Sequence, residues 1–437
     1  MTQSNPRTKR VMTIITCVLA ISLLNTFTAC APTSAAKQNG AKPNANGAQT
    51  AAATQSAAPT QKPDLTAKAV LTAVGDIILH QSVIDGGKQK DGTYKYDAMF
   101  TYVAPYFKNS DYAIANYEGA LNGPPYSGYP TFGGPDAIAY GLKNAGIDMV
   151  TTANNHAYDR GFAGLVRTPT VFAKAKVAVI GTRAKSTDPH FKIASVNGIK
   201  IGFIGYTFET TGNGVNKALN GINLPTKAND LIDSFNPYRA GRFAANLKDM
   251  AARVKAMKKA KAECIVFVMH WGDEYQTVSN ATEKKIAKFL ADQGVDLIIG
   301  HHPHVIQEIS VIHSTVSKKN TLVYYSTGNF LANMEFNTHN TKGYAEDAII
   351  AKVEISRDAA GKIKVTKGEY VGTYVYKDKT TGTIKHKVIP VKAAIASPSK
   401  YGMSSQVTLV KNAAARIKKV LSSSHGTKYG IIVRESK

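Results

Sequence analysis

Val295-Asp296-Leu297-Ile298-Ile299-Gly300-His301-His302-Pro303-His304 is the stretch on which the reading of this chain turns. A short apolar run ends at a glycine and delivers three histidines within four positions, which reads as a buried strand running into a functional loop. Alternate residues of an extended chain point the same way, so His302 and His304 are predicted to aim their imidazoles at one spot. Pro303 removes a ladder donor, fixes φ and marks the strand's end. Two neutral imidazoles held this way suit a borderline metal such as Zn, Mn or Fe. Taken alone, the stretch also has a blander and weaker reading, a basic surface loop with incidental histidines, and its neighbours decide against it.

Working outward, β-rich runs at residues 69–74, 112–115, 149–152, 177–180, 199–205, 264–269 and 321–325 alternate with helical patterns at 97–108, 136–144, 164–174, 242–261 and 282–293. That alternation predicts an α/β fold with much parallel sheet. Ligands of such sheets bind at the carboxyl ends of the strands, and polar residues collect there. Asp76 follows the first strand, Asn116 and Glu118 the second, and Asn154, Asn155, His156 and Asp159 the third. His270 closes the run 264–269, His302 and His304 follow the next, and Asn329 comes in Ser326-Thr327-Gly328-Asn329-Phe330. Each piece alone has an ordinary reading, such as a turn for Gly75-Asp76 or a self-capping loop for Asn154-Asn155. Six strand ends together predict a hydrolytic centre, in which a carboxylate bridges two cations about 3.5–4 Å apart.

The ordered set Gly75-Asp76, Asn116-x-Glu118, Asn154-Asn155-His156 with Asp159 and Gly161, His270-Trp271-Gly272, Gly300-His301-His302-Pro303-His304 and Gly328-Asn329-Phe330 resembles the CapA family. These are bacterial poly-gamma-glutamate capsule biosynthesis proteins, relatives of the calcineurin-like metallophosphoesterases. The resemblance covers residues 69–331 and implies a metallophosphoesterase-like layered α/β sandwich, here with added C-terminal β-hairpins. It also implies one or two divalent ions (Mn, Fe or Zn). Asp76, Glu118 and His304 would surround one metal, with Glu118 bridging, and Asn155, His270 and His302 would complete the second. By the same resemblance His156 would protonate a leaving oxygen, Asp159 would orient it, and Arg160, with Asn116, Asn154 and Asn329, would meet an anionic substrate. The chain departs from the phosphoesterase pattern at its first motif. Where Asp-x-His is usual, Asp76 is followed by Ile77-Ile78-Leu79-His80; Asn116-x-Glu118 stands where Gly-Asp-x-x-Asp is usual.

Composition points to the same class of partner. A net charge of +24 and a pI near 9.7 favour polyanions or anionic surfaces. The N-terminus argues against nucleic acid among them. Lys9 and Arg10 precede an apolar run at 11–24, and Phe27-Thr28-Ala29-Cys30 resembles the end of a lipoprotein signal peptide, with Cys30 the lipidated residue. Residues 31–66 read as a low-complexity tether, 67–345 as the main domain, and 346–437 as a basic β-rich extension with a final helix at 404–424. From Lys352 onward there are 18 Lys and Arg against 5 Asp and Glu. Cys264 reads as a small core residue, leaving no disulfide framework.

The expectation is therefore an extracytoplasmic protein, lipid-anchored to the bacterial cell membrane. It would build, anchor or trim an anionic surface polymer by metal-assisted hydrolysis or transfer, beside integral membrane polymer-synthesis proteins. The alternative is a non-catalytic polymer-binding or scaffold lipoprotein on the same fold.

Overall fold

The computed structural model describes residues 66–436 as two sheets packed face to face, with helices on both outer surfaces. The expected export signal, its Cys30 and all but the last residue of the expected tether lie outside the described residues. In the first sheet Ala67–Ile78 runs parallel to Tyr112–Glu118, which is followed outward by parallel Met149–Thr151 and Ala178–Ile180. On its other side Ala67–Ile78 pairs antiparallel with Asp347–Arg357, which pairs with Ile363–Asp378. The second sheet has five parallel strands in the order Ser234–Phe235, Ile199–Phe208, Cys264–His270, Leu297–His301 and Asn320–Tyr324. Lys192–Val196 and Ile309–His313 add antiparallel partners.

The period of two along each strand sorts its side chains between layers. Ile201, Phe203, Val266, Val268, Leu297 and Ile299 face Leu71, Ala73, Ile114 and Met149 of the first sheet. The intervening Ile204, Ile265, Phe267 and Ile298 pack outward against Met250, Val254, Ile286 and Leu290 of the helices. Val74, Ala113, Ala115 and Val150 do the same on the other side, against Leu142 and Phe172. Both faces of the parallel strands are buried, which is why these runs are continuously apolar. Truncating Phe203 to alanine in the middle layer removes a ring from close packing and costs about 3–5 kcal/mol.

The helix Ala281–Gln293 shows how local signals set up the next strand. Asn280 caps it by accepting from the Glu283 amide, and Glu283 accepts in return from the Asn280 amide. Gly294 stops it at φ +85°, and Val295 and Leu297 turn directly into the core.

Three expectations need correction. The helix predicted at 97–108 is two short helices, Asp97–Phe100 and Ala104–Lys108, the second restarted with Pro105 in its first turn. The two strands that the alternation suggests at 362–368 and 370–377 are one strand, Ile363–Asp378. The helix Val407–Leu421 is not final, because strands Gly426–Lys428 and Ile431–Glu435 follow it and the latter joins the first sheet beside Ile363–Asp378. The extension beyond residue 345 adds to the first sheet, where Asp347–Arg357 supplies the neighbour of the first strand from Ala67 to Val74.

A candidate metal centre at the strand ends

A bulge aims Asp76. Up to Val74 the first strand is in step with its neighbour at Ala115, and after one extra residue Asp76 faces Asn116. Leu71 and Ala73 point into the middle layer, so an unbroken strand would point residue 76 toward the helices. Gly75 absorbs the shift, and Asp76 turns inward with Asn116 and Glu118. No other residue fits there, because a Cβ on Gly75 would lie 1.8 Å from the Gly328 carbonyl oxygen. Gly300 is held as closely, its hypothetical Cβ 1.8 Å from the Tyr325 carbonyl oxygen.

In the second sheet His270 follows Val266 and Val268 inward, and His301 follows Leu297 and Ile299. His302 and His304 do not arrive by alternation. The strand ends at His301, and both residues have left-handed backbone, φ +97° and +57°. The loop between them is pinned by the Tyr275 amide, which donates to the Pro303 carbonyl at 2.7 Å. Such conformations are costly for non-glycine residues and concentrate at functional sites.

These elements bring Asp76, Glu118, His270, His302 and His304 together, each no more than 4 % exposed. Ligand atoms of Glu118, His302 and His304 lie within 4.8 Å of one another, and so do those of Asp76, Glu118 and His270. Glu118 is common to both groups. The neighbours of His304 are mixed: its Nδ1 is 3.1 Å from Asp76 Oδ2 and its Nε2 is 3.9 Å from Glu118 Oε1. Asn155 joins through Oδ1, 2.8 Å from His270 Nε2. The stacked ring of Phe208 walls off His270 and His302.

Burial pushes the Glu118 carboxyl well above the usual carboxylate range; His304 opposes the rise and the Asp76 charge adds to it. Burial acts on Asp76 too, but the hydrogen bond and charge of His304, helped by His301, outweigh it and hold Asp76 below its ordinary value. His304 is correspondingly lifted to about 9, the charges of Glu118 and Asp76 overcoming its burial. Burial drives His302 down to about 3 and His301 to about 4, and His270 well below the imidazole range. Both oxygens of Glu118, Nδ1 of His302, Nε2 of His301 and Oδ1 of Asn116 are buried without a hydrogen-bond partner. Buried polar atoms are seldom left so. A divalent cation would satisfy them, and the mixed carboxylate and imidazole set fits Mn, Fe or Zn.

At the edge of this cluster the Asp159 carboxylate accepts from His156 Nδ1 at 2.7 Å and from the Phe132 amide at 2.7 Å. Asn154 and Asn329, expected to meet substrate, are fully buried and spend their side chains inside the fold. Asn154 donates to the Tyr117 carbonyl and accepts from the His156 amide. Asn329 donates to the carbonyls of His304 and Ala345, so both asparagines brace loops that carry histidines. Asn116 donates to Asp76 Oδ1 at 2.7 Å. Arg160 is half-buried and turns toward Ser127, whose hydroxyl its guanidinium meets at 3.1 Å. His80 accepts from the Asn333 amide at 3.2 Å, and buried Ile78 stands two residues after Asp76.

Two residues in the site were not singled out from sequence. His301 lies 3.6 Å from Asp76 through Nδ1; its signal was the inward period of Leu297 and Ile299. Asn220, at φ +46°, accepts from Asn155 Nδ2 at 3.0 Å and sets its own amide 3.1 Å from His156 Nδ1. Its signal was Asn220-Gly221, a hairpin dipeptide, here between Ala218–Leu219 and Ile222–Asn223.

Comparison with known proteins agrees with this order of residues. The family described as bacterial capsule synthesis protein PGA_cap matches residues 70–334. The PGA biosynthesis protein CapA of Bacillus subtilis (strain 168) is 28% identical over 304 residues, which cover 67% of this chain and 69% of that protein. The capsule biosynthesis protein CapA of Bacillus anthracis is 29% identical over 265 residues, 59% of this chain and 58% of the relative. Among solved structures, NAD nucleotidase (NadN) of Haemophilus influenzae aligns over 84% of this chain and 57% of its own, at 11% identity and a TM-score of 0.41. The family match runs from before Asp76 to beyond Asn329, across every strand end described above, and the chain belongs to the bacterial capsule synthesis protein family.

Proposed function

We propose that this chain acts on an anionic cell-surface polymer, of the poly-gamma-glutamate type, through a mono- or dinuclear metal centre at Asp76, Glu118, His270, His302 and His304. The observation that carries the reading is Glu118: fully buried, shared by two potential ligand groups, with neither oxygen hydrogen-bonded. A buried carboxyl in that position has a cost that a bound cation removes. The chemistry such a cation supplies is polarisation of a carbonyl or phosphoryl oxygen and acidification of water to a pKa of about 7.

The surrounding residues have separable tasks. Asp159 holds His156 in the tautomer with its proton on Nδ1, which leaves Nε2 to give or take a proton at the reacting group. Asn155 and Asn116 meet the two nitrogens of the His270 ring and fix its orientation. Phe208 excludes water on the side of His270 and His302. The basic exterior favours a polyanion, and the N-terminal sequence supports export and a lipid anchor at Cys30, which would hold the domain at the membrane beside integral polymer-synthesis proteins.

A second reading, a polymer-binding scaffold without turnover, is favoured by Ile78, an apolar side chain where the phosphoesterase motif has histidine. Elemental analysis of the purified protein separates the two, alongside Glu118→Ala and His302→Ala. Near-stoichiometric Mn, Fe or Zn, lost from both variants, is expected. Protein that takes up none of these ions after loading would sink the metal-centre reading and leave the scaffold.

A further inference from the structure

The strand of the histidine stretch, Leu297–His301, has an opposite end, and a cleft of about 610 Å³ opens there, lined by residues of both sheets. Asp296 at its floor and His301 in the metal cluster bracket one five-residue strand, so the two places lie about 17 Å apart. One wall carries Lys318 and Lys319, and the other carries Lys362, just before the strand Ile363–Asp378, and Lys364, within it. Those last two belong to the segment that holds much of the chain's positive excess. Val365 gives the cleft an apolar floor, and the Tyr429 ring, 63 % exposed and stacked on His313, stands at its rim.

The acidic groups in the cleft are already neutralised. Asp296 accepts from Lys319 Nζ at 2.8 Å, and Glu263 accepts from Arg357 at 2.8 Å. Lys364 meets Asp358 at 3.9 Å, in an exposed pair of little strength. Lys318 and Lys362 are exposed and have no acidic partner within salt-bridge distance among the described residues. Solvated ammonium groups on the two walls set up a positive field in the cleft, and a row of anions laid between them is attracted by it. Polymer geometry suits the place better than a small anion, because the lysines line two opposite walls rather than converge on one point.

We propose that this cleft is a second binding site, for a run of an extended polyanion with carboxylate or phosphate groups, distinct from the metal centre. It shares with the proposed function only the class of polymer. A polymer held there stays attached while another part of it occupies, or leaves, the strand-end site.

The test titrates the full chain with fluorescent poly-gamma-glutamate and with poly(glycerol phosphate), at low and at physiological salt. K318E/K362E is expected to weaken binding about tenfold at low salt, with a smaller loss as salt rises. K248E/K255E makes the same charge change on an exposed face of the helix Ala240–Lys259 and is expected to change binding less than about threefold. Preference for one polymer over the other at equal charge identifies the anion, and either preference supports the site. Equal losses in the two double variants would overturn it in favour of the diffuse field of a basic protein. Loss in E118A alone would overturn it while leaving the metal-centre reading standing. Failure of the unaltered chain to bind either polymer overturns it outright.

Discussion

The two ends of the sandwich handle charge in opposite ways. At the carboxyl ends of the strands, carboxylates and imidazoles are buried together, and several of their polar atoms have no partner. At the amino ends, the acids are paired with lysine or arginine and the remaining lysines stand in water. Similar residue types thus carry different information. Buried and unsatisfied, they call for a ligand at short range; solvated, they act through a field at longer range. The contrast also predicts which changes will be felt.

Gly300→Ala should have the largest effect, since the new methyl group would collide with the Tyr325 carbonyl and the Trp271 ring beneath the histidine loop. A loss above about 4 kcal/mol is expected in chemical denaturation, and a variant as stable as the parent would show that this end is not rigidly packed. Next comes Glu118→Gln, which should abolish metal retention. In chelator at pH 8 the same variant should be at least as stable as the parent, because an amide replaces a carboxyl whose ionisation burial opposes. A marked destabilisation in chelator would mean that Glu118 is stabilised as an anion by other groups.

The pH dependence follows from His304. In the metal-free fold its pKa is raised to about 9, above the ordinary 6.5. Its contribution to stability is therefore full below pH 6.5 and is lost as pH rises through 9. Binding a cation must displace that proton, so metal affinity should climb between pH 6.5 and 9, by up to about tenfold per unit for one proton. Calorimetry in buffers of different ionisation enthalpy would detect the released proton, and a flat affinity profile would exclude His304 as a ligand. Asp159→Asn should leave metal content unchanged and cost about 1 kcal/mol, since the Phe132 amide keeps an acceptor and only the tie to His156 changes. Lys362→Ala, at the opposite end, should change stability by less than about 0.5 kcal/mol.

Much of the site was legible because parallel strands end on one side, and a strand's end can be read from where its apolar run stops. Asp76, Glu118, His270, His302 and His304 were all found that way. The reason given for His302 and His304 was wrong, however: left-handed backbone, not alternation, brings them together. Sequence periodicity describes extended chain and says nothing of the residue after it. His301 was passed over although it obeys that very period. Asn220 was hidden because it reaches His156 across 64 positions from a hairpin whose strands are two residues each. In the C-terminal segment, Gly368 looked like a strand end. It lies mid-strand because a Cβ there would press on Leu322 of the other sheet, 2.7 Å away. Only the partner sheet reveals that constraint.

The first strand has a further consequence, one of time rather than space. It sits inside the first sheet, with Tyr112–Glu118 on one side and Asp347–Arg357 on the other, and Ala67 itself faces Arg357. A chain made from its N-terminus therefore carries an open strand edge until Asp347–Arg357 has been synthesised. Every intermediate length exposes backbone donors and acceptors that only the late segment can cover. The first strand's edge is closed only by the segment beyond residue 345, so that late segment sets when this sheet can form.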